Sequence, residues 1–228
     1  MTFLSHIFDF IFPRECHLCG CSLSSQDKFV CSPCLSKLPR TLYHRVKDNA
    51  MERRFMGQFP YRAATGHFFY SRGSELATLI HDFKYHRFPD LAAHLGSIVA
   101  DELIVTGFLS DIDFILPVPM HFLKKSRRGY NQTEEIARGI SSRTGIPVSK
   151  LLRAVRPHPT QTSLSLENRI KNTEGIFKVN NPELLKDKSV LIVDDVCTTG
   201  ATLGSAARVI VDSVPGVEIT LLTLGVTF

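Results

Sequence analysis

From residue 190 to 193 the chain reads Val-Leu-Ile-Val, so a strand here has no polar face to offer water and must be covered on both sides. Strands of that kind belong to parallel sheets, because a parallel pair needs a long crossover and the crossover helix packs back onto the sheet. The neighbouring sequence keeps to that scheme. Residues 217–223 form a second apolar strand, and residues 202–211 between the two have helical periodicity. Upstream, residues 74–84 place apolar side chains at helical spacing behind Ser74 as N-cap, and residues 90–103 repeat the pattern behind Asp90. Residues 113–119 read as a short buried strand closed by Pro117 and Pro119, residues 131–143 as a helix, and the stretch around Pro147 as a short strand. The expected fold class is α/β, a parallel sheet with helices on both faces.

The first 45 residues do not follow that pattern. Five of the six cysteines lie between Cys16 and Cys34, in a segment too short and turn-rich to build its own core. Cys16 and Cys19 form one Cys-x2-Cys pair and Cys31 and Cys34 another, eleven residues on. Two thiolate pairs on two tight turns are the way a tetrahedral zinc ion is clasped, and so small a module folds with its metal. The expected ligands are Cys16, Cys19, Cys31 and Cys34, holding a structural zinc. Cys21 is the ambiguous fifth thiol, able to replace Cys19, and His17 would strain the turn as a ligand. Between residues 37 and 54, Lys37, Arg40, Arg45, Lys47, Arg53 and Arg54 face only Asp48 and Glu52, without clear apolar periodicity. This reads as a solvated basic connector. A second reading gives it single-stranded DNA as partner, with Tyr43, Phe55, Phe59 and Tyr61 available for base stacking.

At 228 residues with 43% hydrophobic and 21% charged side chains, the chain is globular, and a net charge of +5 falls short of a nucleic-acid footprint by itself. The apolar residues 1–12 lack a preceding basic stretch and a cleavage site, so they do not read as a signal peptide. No stretch approaches the ~20 apolar residues of a membrane span. A cytoplasmic location is expected.

The C-terminal unit carries the chemistry. An apolar strand ends in Asp194 and Asp195, and Val196, Cys197, Thr198, Thr199, Gly200, Ala201 and Thr202 lead into a helix. Backbone N–H groups at a helix N-terminus favour a phosphate, threonine hydroxyls add donors, and glycine permits close approach. Two adjacent carboxylates repel phosphate, so they face sugar hydroxyls or a divalent cation. Cys197 has neither a base nor a histidine near it in sequence and is not expected to be a nucleophile. A second loop, after the strand at 113–119, gathers Lys124, Lys125, Arg127 and Arg128 beside Gly129. Their cationic heads match phosphate oxygens. A third, the long polar segment 153–172, is a candidate lid with Arg153, Arg156, Arg169 and Lys171.

The string from Val190 to Thr202 resembles the phosphoribosyl-diphosphate (PRPP) motif of type I phosphoribosyltransferases. The order of Cys16, Cys19, Cys31 and Cys34, then His81-Asp-Phe-Lys-Tyr85, Pro117-Val-Pro119, Arg128-Gly-Tyr-Asn-Gln132, Thr160-Gln-Thr-Ser-Leu164, Arg169-Ile-Lys-Asn172 with Phe177, and Asp194-Asp-Val-Cys-Thr-Thr-Gly200 is similar to that of ComF-family proteins. The resemblance implies a type I phosphoribosyltransferase domain over 46–228 behind a zinc module at 1–45, with a role in natural transformation and in handling imported single-stranded DNA. It further implies that Asp194 and Asp195 hold the ribose, that residues 196–202 cradle the 5-phosphate, and that Lys124, Arg127, Arg128 and Arg169 hold pyrophosphate in a magnesium-dependent transfer. A non-catalytic PRPP or nucleotide sensor acting as an adaptor to other competence proteins is the alternative. The identity of the acceptor and the oligomeric state are not legible.

Overall fold

A computed structural model describes residues 14–86, 88–120, 126, 128–156 and 175–228. Its centre is a four-stranded parallel sheet in the order β1, β6, β5, β2, formed by β1 (Ala63–Phe69), β2 (Phe114–Pro117), β5 (Ser189–Cys197) and β6 (Glu218–Val226). A separate antiparallel pair, β3 (Leu152–Ala154) with β4 (Phe177–Val179), flanks it in sequence. The short strand expected around Pro147 is a single bridge from Val148 to Ile115, which extends the sheet beyond β2. β1 was not anticipated, and β5 runs four residues past the apolar run, through the acid pair to Cys197.

Alternation along the buried strands sends side chains to two cores. Leu191, Val193, Leu222, Leu224 and Ile115 face α3 (Glu75–Tyr85), α4 (Pro89–Ile104) and α5 (Gln132–Thr144). Val190, Ile192, Ile219, Leu221 and Leu116 face α6 (Ala201–Ser213). Helices therefore cover both faces, as expected. Each large side chain buried this way contributes about 1.5–3 kcal/mol before conformational entropy is counted.

Ser74 caps α3, accepting from the Ala77 N–H, and Asn131 caps α5, accepting from the Thr133 N–H. Asp90 does not cap α4. Phe88 occupies that position, Pro89 supplies the fixed φ of the first turn, and Asp90 favours the helix only through its charge near the N-terminus. α4 and α5 pack backbone to backbone: a Cβ on Gly139 would lie 1.9 Å from the Ala93 carbonyl oxygen, and one on Gly96 2.3 Å from that of Ile136.

The basic connector is not a solvated linker. It forms a 3-10 turn (Tyr43–Arg45) and the short helix α2 (Ala50–Arg53), with Met51 and Phe55 buried in the α6-side core. Asn49, 4% exposed, caps α2 and donates to the carbonyls of Tyr43, Val46 and Ala64. The cysteine segment is likewise joined to the sheet. Cys16, Val30, Cys31 and Leu38 belong to one core with Phe68, Leu76 and Phe83, and α1 (Ser32–Lys37) leads to Arg40, whose guanidinium grips both oxygens of Glu102 on α4 at 2.7–3.0 Å. Among the described residues no helix is long and apolar enough to cross a membrane.

Candidate active site

The carboxyl ends of β5 and β2 open into a cleft of about 290 Å³. In open parallel sheets this is where ligands sit. Three segments far apart in sequence line it: Lys84 and Tyr85 from the last turn of α3, residues 118–120 with Arg128 and residues 131–133 from the β2–α5 connection, and Asp194, Asp195, Val196 and Thr202 from β5 and α6.

Asp195 is the most constrained group in the cleft. Its Oδ2 accepts from Gln132 Nε2 at 2.7 Å and pairs with Lys84 Nζ at 2.7 Å, and the residue is 7% exposed. A buried carboxylate needs such partners. Asp194, next to it, accepts the Asp195 N–H on Oδ1 at 2.8 Å. Burial and the neighbouring Asp195 charge push its carboxyl up to about 7, against the opposing pull of that N–H and of Lys84. Arg128 closes one wall, donating to Gln132 Oε1 at 2.6 Å with its guanidinium carbon 5.3 Å from the Tyr85 ring centre.

The turn after β5 is held from outside the cleft. Gly200 has φ +80° and caps α6 in the left-handed conformation, and a Cβ there would come within 2.9 Å of the Phe55 ring. Arg54 donates to the carbonyls of Cys197, Thr198 and Thr227. The connector thus clamps the turn whose N–H groups open α6. Phe55 and Phe59 are buried, which removes them as base-stacking surfaces, and Arg54 is occupied by backbone carbonyls. Cys197 is 3% exposed, and burial pushes its thiol up to about 11, which leaves it protonated and inert at neutral pH.

Of the residues singled out from the sequence, Asp194, Asp195, Val196, Thr202 and Arg128 line the cleft, while Thr198, Thr199, Gly200 and Ala201 form the turn leading to Thr202. Lys124, Arg127 and Arg169 lie outside the described residues, as do most of the candidate lid and residues 1–13. Lys84, Tyr85, Asn131 and Gln132 were not assigned roles, although they sit within strings quoted for the resemblance. The signal available was a lysine ending an amphipathic helix and an Asn-Gln pair opening another.

The cysteine cluster is about knuckle geometry. The sulfurs of Cys16, Cys19, Cys21 and Cys31 lie within 4.8 Å of one another, so the group holds Cys21, the ambiguous fifth thiol, and not Cys34, which was expected as the fourth ligand. Two thiolates on a tetrahedral zinc with arms of about 2.3 Å stand roughly 3.8 Å apart. Cys19 and Cys31 are 3.7 Å apart, whereas Cys19 and Cys21 are 3.2 Å apart, closer than that edge. Burial raises the Cys16 thiol, yet N–H groups of Cys31, Cys19 and Leu18 turned onto its sulfur bring it below the ordinary range. Soft sulfur donors with backbone N–H support fit zinc.

The sequence matches the family model for the phosphoribosyl transferase domain over residues 89–224. Among curated relatives, the DNA utilization protein YhgH of Salmonella typhi is 29% identical over 139 residues, 59% of this chain and 60% of that protein. Competence protein F of Haemophilus influenzae is 32% identical over 98 residues, covering 42% of this chain and 43% of that one. Competence protein ComFC of Bacillus subtilis is 26% identical over 212 residues, 92% of this chain and 76% of its own length. The alignment spans less than two thirds of the first two of these relatives. With a matched domain covering more than half the chain, the chain belongs to the phosphoribosyltransferase-domain family, as a ComF-like member.

Proposed function

We propose that the cleft binds PRPP and transfers its phosphoribosyl group with release of pyrophosphate. The observation that carries this reading is the acid pair at the end of β5, set between two cationic walls and the N-terminus of α6 in one cleft. Asp194 and Asp195 hold the ribose hydroxyls, the N–H groups and hydroxyls from Val196 to Thr202 hold the 5-phosphate, and Arg128, with Lys124, Arg127 and Arg169, holds pyrophosphate. Magnesium fits a site with two carboxylates and a diphosphate, where it supplies neutralisation of the leaving charge. Zinc in the cysteine cluster is structural. The division into a module at 1–45 and a transferase domain at 46–228 belongs to the same proposal.

The names of the relatives, DNA utilization and competence, carry the further proposal that this activity serves the handling of imported single-stranded DNA in the cytoplasm. Lys37, Arg45, Lys47 and Arg53 are the exposed cations of the connector that such a strand would meet.

Incubation with magnesium and PRPP, alone and with a panel of nucleobases, tests the transfer. Pyrophosphate release should exceed that of an Asp195→Asn variant by about 100-fold or more. PRPP binding without any release above that variant replaces the enzyme by a PRPP sensor acting as an adaptor. No PRPP binding at all removes both readings.

A further inference from the structure

Outside the cleft and the cysteine cluster, one more group of ligating side chains converges among the described residues. α3 ends at Tyr85, and His86, with φ −98° and ψ 8°, turns back at its C-cap. That turn brings His86 beside His81, ring centres 5.1 Å apart, although five residues along an ideal helix would point them to different sides. Asp82 lies between them, and the ligating atoms of His81, Asp82 and His86 all fall within 4.8 Å of one another.

Asp82 is oriented as a metal-binding carboxylate is. Its Oδ2 is held by His17 Nδ1 at 2.8 Å, from the cysteine segment, while its Oδ1 faces His86 Nδ1 at 3.1 Å. A carboxylate with one oxygen fixed by a neighbour and the other turned toward an imidazole has the outer-shell support that ligands require. Nitrogen and oxygen ligands with arms of about 2.0–2.2 Å stand roughly 3.0–3.4 Å apart on one ion, and the His86–Asp82 separation falls in that range. The side chain of His86 is 56% exposed against 16% for Asp82 and 16% for His17, so the carboxylate is anchored and the imidazole is accessible.

We propose that His81, Asp82 and His86 form a second metal site, for a divalent transition ion of the zinc and nickel class, separate from the cysteines. Two imidazoles and one carboxylate suit such ions and not magnesium or calcium, which take oxygen. Three protein ligands on an exposed surface leave coordination positions open to water or a ligand. The site lies on the turn that carries Lys84 and Tyr85 into the main cleft, and Asp82 ties that turn to the cysteine segment through His17. An ion here would fix the turn that delivers Lys84 to Asp195.

The test starts from zinc-loaded full-length protein, titrated with nickel alone. Bound nickel and bound zinc are then counted after desalting, in the wild type and in a His81→Ala/His86→Ala variant. Both histidines are exposed, so the variant is expected to fold, and its thermal unfolding without nickel checks this. One nickel per chain in the wild type with zinc retained, and affinity at least tenfold weaker in the variant, is the expected result. Nickel taken up equally by the variant, nickel gained only as zinc is lost, or no nickel uptake would each overturn the site. None of these outcomes depends on PRPP turnover.

Discussion

The cysteine cluster and the cleft at the carboxyl ends of β5 and β2 both gather groups that repel one another, thiols in one and carboxyl groups in the other, yet they are assembled in opposite ways. The five thiols come from a 19-residue stretch, Cys16 to Cys34, and short turns suffice to bring four of them, Cys16, Cys19, Cys21 and Cys31, together. The two acids of the cleft are adjacent in sequence, but the groups that make Asp195 tolerable are Lys84, 111 residues away, and the amide of Gln132 at the start of α5. A local cluster is specified by short spacings, and a distributed one depends on the whole fold holding its walls in place.

Breaking the local cluster should have the largest consequence, because its residues are shared with the main core. Cys31→Ser is expected to abolish zinc retention and to lower stability by roughly 3–5 kcal/mol, a fraction of the ~10–16 kcal/mol by which structural zinc binds. Differential scanning calorimetry should show a fall of about 6–20 °C. A loss confined to the cysteine segment, with the main transition unchanged, would mean the two regions are energetically separate.

Next comes the ionic tie between them. The His67 hydrogen bond, and with it Arg40, holds the Glu102 carboxyl down to about 2 from an ordinary 4.5, against the opposing effect of burial. The folded value is depressed, so the stabilisation is fully present above about pH 4.5 and is lost as pH falls toward 2. Discounted for a side chain 32% exposed, it is worth about 2 kcal/mol. Denaturant unfolding between pH 6 and 3 should show a smaller decline in Glu102→Gln than in the wild type. Equal slopes would show that Glu102 is not the anchor.

The distributed site is sharpened by Gly200→Ala, which meets both a positive φ and the Phe55 ring. A cost of about 1–2 kcal/mol is expected, with PRPP affinity falling further than stability alone explains, read by isothermal titration calorimetry. The smallest structural effect belongs to Arg45→Glu with Arg53→Glu, both exposed, which should leave stability within about 0.5 kcal/mol. If the connector meets DNA, the same pair of changes should shallow the salt dependence of single-stranded DNA binding by a slope of roughly 1–2. An unchanged slope would remove the connector from the DNA interface. Arg54 is unsuitable for that test, because it holds the turn after β5.

Much of the sheet was legible because period and punctuation agree. The apolar run at 190–193, the Ser74 cap, the helix from about residue 131 and the helix after Gly200 all fall where local chemistry puts them. β1 escaped because Ala63-Ala-Thr-Gly-His-Phe-Phe69 mixes small, polar and aromatic residues, and is a strand only because β6 lies beside it. The connector misled for the opposite reason. Its charges dominate its composition, while Met51 and Phe55, too few to show a period, carry its packing.

Sequence by itself determined the local devices: thiol pairs at knuckle spacing, an acid pair ending a buried strand, and a glycine in the turn that opens the next helix. Each depends on neighbours within a few residues, so spacing is enough to specify it. Only the tertiary structure decided which groups serve those devices. Lys84 and Gln132 reach Asp195, Arg54 and Phe55 clamp the turn, and His17 meets Asp82 because sheet order and the tight α4–α5 crossing place distant segments side by side. A charge buried beside another charge has no fixed value until its partners arrive, and no spacing in the sequence records their arrival.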